Sequence, residues 1–441
     1  MIRSAPVKWF SLVPPRARLA LGIYVACTVM YLAFMGVERL TGHSPYNHFA
    51  HLADAWAHGR QDIVQGGPSY AHGNDFAEFN GKTYISFPPF PALLMLPFVA
   101  LAGSPEEFAD GQFVGWLAGI APAMLFVLLE RLRDFGLSRR TQQENVLLVA
   151  AYALGTVYFF SAVQGTVWFT GHVVGSMLLV LYLNAALGAR HPLLAGLALG
   201  AIWHTRPTMA LTGFFFVFEL WRINREANPA QTLKLKPLVR PVALFGAPIA
   251  AALLLAVWTN HSRFGSWSPA AFGHEHLAVA WHARMQRWGL FHYHYLAKNL
   301  GVMLTSLPWM RPPGMSGAPF QINEHGLALW FTTPLYLWLF VQRDKTAVYW
   351  SALAAAIGPL TMNLLYQNSG WSQFGYRFSN DYAPLLFVML AVGGVRLGNA
   401  AKAAVIWGIG WNAFGAMSFN RDRYRGYYFS ESSQEVLYQK D

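Results

Sequence analysis

Apolar runs of about 20 residues, nearly free of charge, recur along the chain from Leu19 to Met417, and short polar turns separate them. A helix of that length rises about 30 Å, the thickness of a bilayer's hydrocarbon core. The runs 19–37, 113–129, 146–162, 167–187, 193–204, 208–221, 242–258, 327–340, 348–365, 381–395 and 403–417 therefore predict an all-α polytopic membrane protein with about eleven transmembrane helices.

One apolar run breaks this pattern. The stretch NDFAEFNGKTYISFPPFPALLMLPFVALAG, residues 74–103, begins as a polar loop and turns greasy at 87–103, where Pro88, Pro89, Pro91 and Pro97 shorten any continuous helix. It reads as a re-entrant or interfacial segment and not as a span.

Basic turns set the orientation. Arg3, Lys8, Arg16 and Arg18 precede the first run, Arg131, Arg133, Arg139 and Arg140 follow the second, and Arg225, Lys234, Lys236, Arg343 and Lys345 mark later turns. Short basic loops stay in the cytoplasm, so the N-terminus is expected there, with 19–37 as an uncleaved anchor. Two long loops, 38–112 and 259–325, then fall on the outer face, together with the tail 420–441. The expected organisation is a single transmembrane domain, 1–441, whose first extracytoplasmic loop carries interfacial helices. Arg421, Arg423 and Arg425 in the tail run against the charge rule.

Composition agrees with a lipid environment. The chain of 441 residues is 54% hydrophobic and only 12% charged, where a soluble domain carries roughly 25%. The formal charge of +11 resides in turns between apolar runs, the pattern of a topology signal and not of a nucleic-acid surface. Cys27 is the single cysteine, so no disulfide forms within the chain.

Polar chemistry thus concentrates on the outer face. Asn47, His51, Asp54 and His58 recur at steps of four, three and four, one stripe of a surface helix, either its wet face or a site able to hold a divalent ion. Asp75 and Glu78 follow, ahead of Lys82, Tyr84 and the Pro-Pro pair. Arg206 and Arg377 stand at outer turns at membrane depth, where ionisable residues are costly and mark function. Arg377 also precedes Asp381 by four residues, the spacing of a helical ion pair. His172 begins a span, and the loop 259–325 holds His261, His274, His276, His282, His292 and His294 among aromatic residues.

One N-terminal span, a surface helix, the element NGKTYISFPP, a greasy segment and a basic turn in succession resemble the lipid-linked glycosyltransferases of the GT-C fold, with the aminoarabinose transferases of lipid A and the protein O-mannosyltransferases as the nearest likeness. Tyr84 and Pro88-Pro89 match that pattern. WTNHSRFGS at 258–266 and GWSQFGYRF at 370–378 are similar to elements after later spans. The pattern departs where relatives carry an aspartate soon after the first span, since Ser44, Tyr46 and Asn47 stand there. It departs again before Pro-Pro, where Ser86 and Phe87 replace a Glu-Lys pair.

The resemblance implies sugar transfer from a polyprenyl phosphate to a glycan, lipid or protein acceptor outside the bacterial cytoplasmic membrane. Asp75, Asp54 or Glu78 would then act on the acceptor hydroxyl, and Arg206, Arg377, His172, Lys82, Tyr84 and His51 would bind substrate. A transporter and a non-catalytic subunit of a membrane complex are the competing readings.

Overall fold

The computed structural model describes residues 14–227, 236–277 and 281–429. Arg3, Lys8, Lys234 and the tail beyond 429 lie outside the described residues.

The molecule is an all-α polytopic membrane protein, and each apolar run becomes a helix or a pair of helices. Pro15–Met35, Asp110–Asp134, Val167–Ala189, Lys236–Phe264 and Ala347–Leu365 are long and apolar enough to cross a membrane unaided. Asn399–Ser418 forms one further continuous helix of 20 residues. Other runs are broken. The run at 146–162 divides into Gln142–Gly155 and Val157–Ala162 because Thr156 adopts an extended conformation and its side chain accepts from the Tyr158 N–H. The runs at 208–221 and 381–395 each begin in a 3-10 turn, Pro207–Gly213 and Arg377–Asp381, before the α-helices Phe214–Ala227 and Ala383–Val392. Irregular backbone at membrane depth persists only where protein covers it, and residues 377–381 are all buried.

The proline-broken segment forms the helix Phe90–Ala102, 13 residues long. At 1.5 Å per residue it measures roughly 20 Å, too short for a core of about 30 Å. Its apolar surface is divided, with Met95 and Val99 buried against the protein and Leu93, Phe98 and Leu101 exposed. A helix of this length does not cross a bilayer core unaided.

Close packing places the first span. Gly111, Gly115 and Gly119 recur every four residues along Asp110–Asp134, and a Cβ on Gly115 or Gly119 would meet Leu32 Cδ2 at 2.7 Å or the Tyr24 carbonyl at 2.8 Å. Only small residues let two helices approach so closely without strain. Inside the bundle, the helix Val167–Ala186 is buried along almost its whole length, whereas Lys236–Phe264 exposes Val242, Leu254 and Trp258.

The two ends of the bundle differ in character. The basic turns gather at one end, where Arg16 Nη2 bonds Asp134 at 2.9 Å, Arg139 faces Asp344 at 4.0 Å and Arg140 donates to the Leu390 carbonyl at 2.8 Å. Both long loops occupy the other end. The hairpin Phe76–Phe79 with Lys82–Ile85 meets Leu277 of the second loop, and Phe320–Asn323 pairs in parallel with Tyr428–Phe429 of the tail. Two arginines cap helices across this end: Arg421 donates to the Met35 carbonyl at 2.7 Å, and Arg39 to the Val163 carbonyl at 2.9 Å. The tail arginine that runs against the charge rule is thus a cap on carbonyls left open by the end of the first helix.

Candidate functional site

Within the first loop, the expected polar stripe divides. His48–Ala57 is a helix, but Asn47 and His51 are buried, and only Asp54 and His58 face outward. Asn47 Nδ2 donates to the Pro105 carbonyl at 3.0 Å, and Tyr70 Oη donates to Asn47 Oδ1 at 2.9 Å. His51 Nε2 lies 2.8 Å from that same hydroxyl. Asp54 instead pairs with His58 at 3.3 Å and Arg60 at 3.9 Å. Among the described residues no group of three His, Cys, Asp or Glu side chains is placed to hold a metal ion.

Three other candidates serve the hairpin. Glu78 accepts from Thr83 Oγ1 at 2.7 Å, and exposed Lys82 pairs with Asp62 at 3.2 Å. Tyr84 is buried beneath Arg263, whose guanidinium carbon lies 5.3 Å from the ring centre. Arg263 also donates to the Ile85 carbonyl, so the end of Lys236–Phe264 clamps the hairpin.

The Pro-Pro element leads to the remaining candidates. The Phe90 N–H, the first after the pair, donates to the His204 carbonyl at 2.7 Å, which ties the helix Phe90–Ala102 to the turn that presents Arg206. Arg206 reaches Asp381 with two bonds, Nε to Oδ1 at 2.6 Å and Nη2 to Oδ2 at 2.7 Å, across 175 residues of sequence. This bidentate fork is the strongest geometry an arginine and a carboxylate form. Asn363 Nδ2 donates to Asp381 Oδ2 at 3.0 Å, and His172 Nδ1 lies 3.2 Å from Oδ1. Asp381 is wholly buried.

Arg377 does not take the partner its spacing predicts. A four-residue step aligns side chains on an α-helix, but Arg377–Asp381 is a 3-10 turn with about three residues per turn, which carries the two apart. Arg206 occupies Asp381 instead. Arg377 packs its guanidinium over Phe169, 4.9 Å from the ring centre, and donates to the Ser372 carbonyl at 3.0 Å. It forms no ion pair within 4.0 Å among the described residues, its Nε has no partner, and it is buried. Asp75 and Asp381 both act on its charge without pairing with it.

Asp75 sits at the turn before the hairpin with φ 61°, and its Oδ2 accepts from the indole N–H of Trp168 at 2.8 Å. Burial raises its pKa above the ordinary carboxylate value, while the Trp168 N–H and Arg377 oppose that rise. Trp168 and His172 are one turn apart on the same helix, so Asp75 and Asp381 meet successive positions of a single face. Asp75, Arg377, Asp381, Arg206 and His172 form one group of ionisable side chains at the loop end, drawn from four segments of the chain.

Several participants carried no sequence signal. Trp168 and Asn363 belong to ordinary apolar runs. Asp110 is buried and accepts from the backbone N–H of Ser44 at 2.7 Å and from its hydroxyl at 2.6 Å. Ser44 is among the residues that stand where the resemblance expects an aspartate, and a carboxylate from the far end of the loop is bonded to it. The second-loop histidines do not converge either. His261 stacks on Trp267 at 3.8 Å and His294 on Trp288 at 4.3 Å, while His276 rests on Phe79 at 4.6 Å.

No family model matches the chain, and no curated protein matches its sequence. Solved structures do match its path. The Archaeoglobus fulgidus oligosaccharyltransferase in its apo form aligns with a TM-score of 0.52 over 93% of this chain at 12% identity. The chain has the GT-C fold. It spans only 56% of that enzyme's length. ArnT from Cupriavidus metallidurans, bound to undecaprenyl phosphate, aligns with a TM-score of 0.47 at 14% identity, covering 92% of this chain and 63% of its own. In this GT-C chain the hairpin, the helix Phe90–Ala102 and the ionisable group all lie at one end of the bundle.

Proposed function

We propose that the chain is an integral-membrane glycosyltransferase that moves a sugar from a polyprenyl-phosphate donor to an extracytoplasmic acceptor. The observation that carries this reading is a buried arginine, Arg377, with no ion pair within 4.0 Å among the described residues, near a half-buried carboxylate in a left-handed backbone conformation, Asp75, at the loop end of a GT-C bundle. Removing a cation from water is costly unless an anion meets it, and a lipid phosphate at headgroup level supplies one. Arg377 holds that phosphate. Arg206 is committed to Asp381 and gives the site its shape.

Transfer then balances simply. The acceptor oxygen attacks the anomeric carbon, the bond from that carbon to the phosphate oxygen breaks, and polyprenyl phosphate leaves with the bonding pair. Asp75 takes the acceptor's proton, a general-base contribution of roughly 10² to 10⁴ in rate. Arg377 stabilises the negative charge that gathers on the departing phosphate. Asp75 is a better candidate than Asp54 or Glu78, because those two acids are engaged by His58 and by Thr83 away from the arginines.

The basic turns collected at one end support a cytoplasmic N-terminus and an outward-facing site in a bacterial cytoplasmic membrane. A cysteine placed at exposed Lys82 should react with an impermeant thiol reagent added outside intact cells; labelling only in opened cells would invert the topology. The deciding assay is transfer of radiolabelled sugar from its polyprenyl phosphate by the purified protein. Movement of the lipid without transfer would favour a transporter, and inactivity in both assays a non-catalytic subunit.

A further inference from the structure

We propose that Trp168 is the positioning residue for Asp75, holding Oδ2 of the carboxylate through its indole N–H so that Oδ1 alone is presented to the acceptor hydroxyl. This rests on the reading of Asp75 as the base. Three observations carry it. First, the Trp168 Nε1 to Asp75 Oδ2 bond, 2.8 Å, joins residues 93 apart and is the only hydrogen bond to this carboxylate among the described residues.

Second, the backbone beneath the carboxylate is held in an uncommon conformation by two side-chain hydrogen bonds to its carbonyls. Asp75 has φ 61°, a left-handed geometry that non-glycine residues seldom adopt. Ser86 Oγ donates to the Asp75 carbonyl at 3.1 Å, and His48 donates from Nε2 to the Asn74 carbonyl at 2.8 Å. His48 is buried, and its pKa is depressed by that burial to about 4. Strain that the surroundings over-determine is characteristic of functional positions.

Third, the donor itself is rigid. Trp168 lies in the first turn of the buried helix Val167–Ala186, the Val167 N–H donates to the Tyr46 carbonyl at 3.0 Å, and the Tyr46 ring packs on the indole at 4.6 Å. A fixed donor beneath a fixed carboxylate leaves one oxygen and one direction for the incoming hydroxyl. Catalytic geometry demands that degree of control, since misplacement of about 1 Å costs on the order of 100-fold in rate.

Trp168→Phe removes the N–H and keeps an aromatic ring against Tyr46. It should lower kcat roughly ten-fold or more with unchanged KM for the donor, because a hydrogen bond to a charged group is lost from the chemical step alone. The bond favours the ionised carboxylate, so its loss raises the Asp75 pKa, and the acidic limb of the rate profile should move to higher pH by about one unit. A parent-like profile overturns the proposal, and so does a loss of activity with donor binding lost and no movement of the limb. Asp75→Asn, measured alongside, isolates the underlying reading: parent-rate transfer by that variant means Asp75 is not the base, whatever Trp168 does.

A second measurement uses the unaltered side chain. In protein carrying isotope-labelled tryptophan, one indole N–H resonance should titrate with pH, and that titration should vanish in Asp75→Asn. If no indole resonance loses its titration in that variant, Trp168 does not hold the carboxylate.

Discussion

Both ends of the bundle bury a carboxylate against an arginine, but they do so on different terms. At the basic end, Glu219 takes a fork from Arg222, at 2.9 and 2.7 Å, from the next turn of its own helix, and it also accepts the Gly188 N–H at 2.8 Å. Arg222 is in turn shared with Glu226. Glu130 similarly pairs with Arg133 at 2.7 Å, three residues on. Glu219 and Glu130 thus take their arginine from the same helix, although Arg16 and Arg139 at this end reach Asp134 and Asp344 from distant parts of the sequence. At the loop end, the pair that saturates Asp381 is assembled across 175 residues, and two further buried arginines, Arg377 over Phe169 and Arg263 over Tyr84, form no ion pair within 4.0 Å among the described residues. Balanced pairs secure helix ends, whereas under the proposed function a buried cation left without an ion pair prepares a place for an anion.

The largest expected effect falls on the acid near Arg377. Asp75→Asn keeps the shape of the side chain and removes the base, so transfer should fall by roughly 10² to 10⁴ with folding and carrier binding intact. In the parent protein, burial of Asp75 should place the acidic limb of kcat above the ordinary carboxylate range if Asp75 is the base, since a base must lose its proton to act. Parent-rate transfer by Asp75→Asn would leave the loop end without its distinguishing chemistry.

Next come the carboxylates that hold each end together. Asp381→Leu strands Arg206 and should cost about 3 to 5 kcal/mol of stability, as breaking a buried pair does. Glu219→Leu should cost a similar amount by stranding Arg222. The double variants separate the two ends. Glu219→Leu with Arg222→Met should recover stability and transfer together, because that pair is structural. Asp381→Leu with Arg206→Met should recover stability alone. If transfer also returns, the long-range pair is no more than a strut.

The sequence exposed these parts unequally, for physical reasons. Apolar runs are local, so nearly every helix was legible, and so was the shortness of Phe90–Ala102, because four prolines state it directly. Arg206, Arg377 and His172 each stood out as an ionisable residue at membrane depth. Their grouping did not. The spacing of Arg377 and Asp381 pointed to a local ion pair, and the 3-10 geometry of that turn, which no residue there announces, hands Asp381 to Arg206 instead. The stripe Asn47, His51, Asp54 and His58 was read at the correct period. Its Asn47 and His51 are nevertheless buried, because Tyr70 arrives from a later part of the loop to satisfy both.

A smaller effect should follow from Arg377→Ala. Charge-assisted hydrogen bonds to a phosphate contribute about 1.5 to 3 kcal/mol, so carrier affinity should fall roughly 10- to 100-fold, measured by binding of polyprenyl phosphate to purified protein. Arg377→Lys should recover only part of this, because an ammonium lacks the planar fork. Arg222→Ala at the basic end should leave carrier affinity unchanged in whatever fraction folds. Equal loss from both variants would mean that the contrast between the ends concerns stability and not ligand.

The smallest effect is expected from the acid that looks most available. Asp54 is presented from the surface helix His48–Ala57, and in sequence it competes with Asp75 for the role of base. Availability is its weakness. Its neighbours are His58, whose side chain is 63% exposed, and Arg60, so its charge is met by groups in water and not by the buried arginines. An exposed pair of this kind contributes at most about 1 kcal/mol, and little of that survives physiological salt. Asp54→Asn should therefore leave transfer within about twofold of the parent and stability within about 1 kcal/mol. A collapse of transfer in Asp54→Asn, with Asp75→Asn unaffected, would move the chemistry from beside Arg377 to the open surface of the first loop, where the leftover buried cation would no longer be explained.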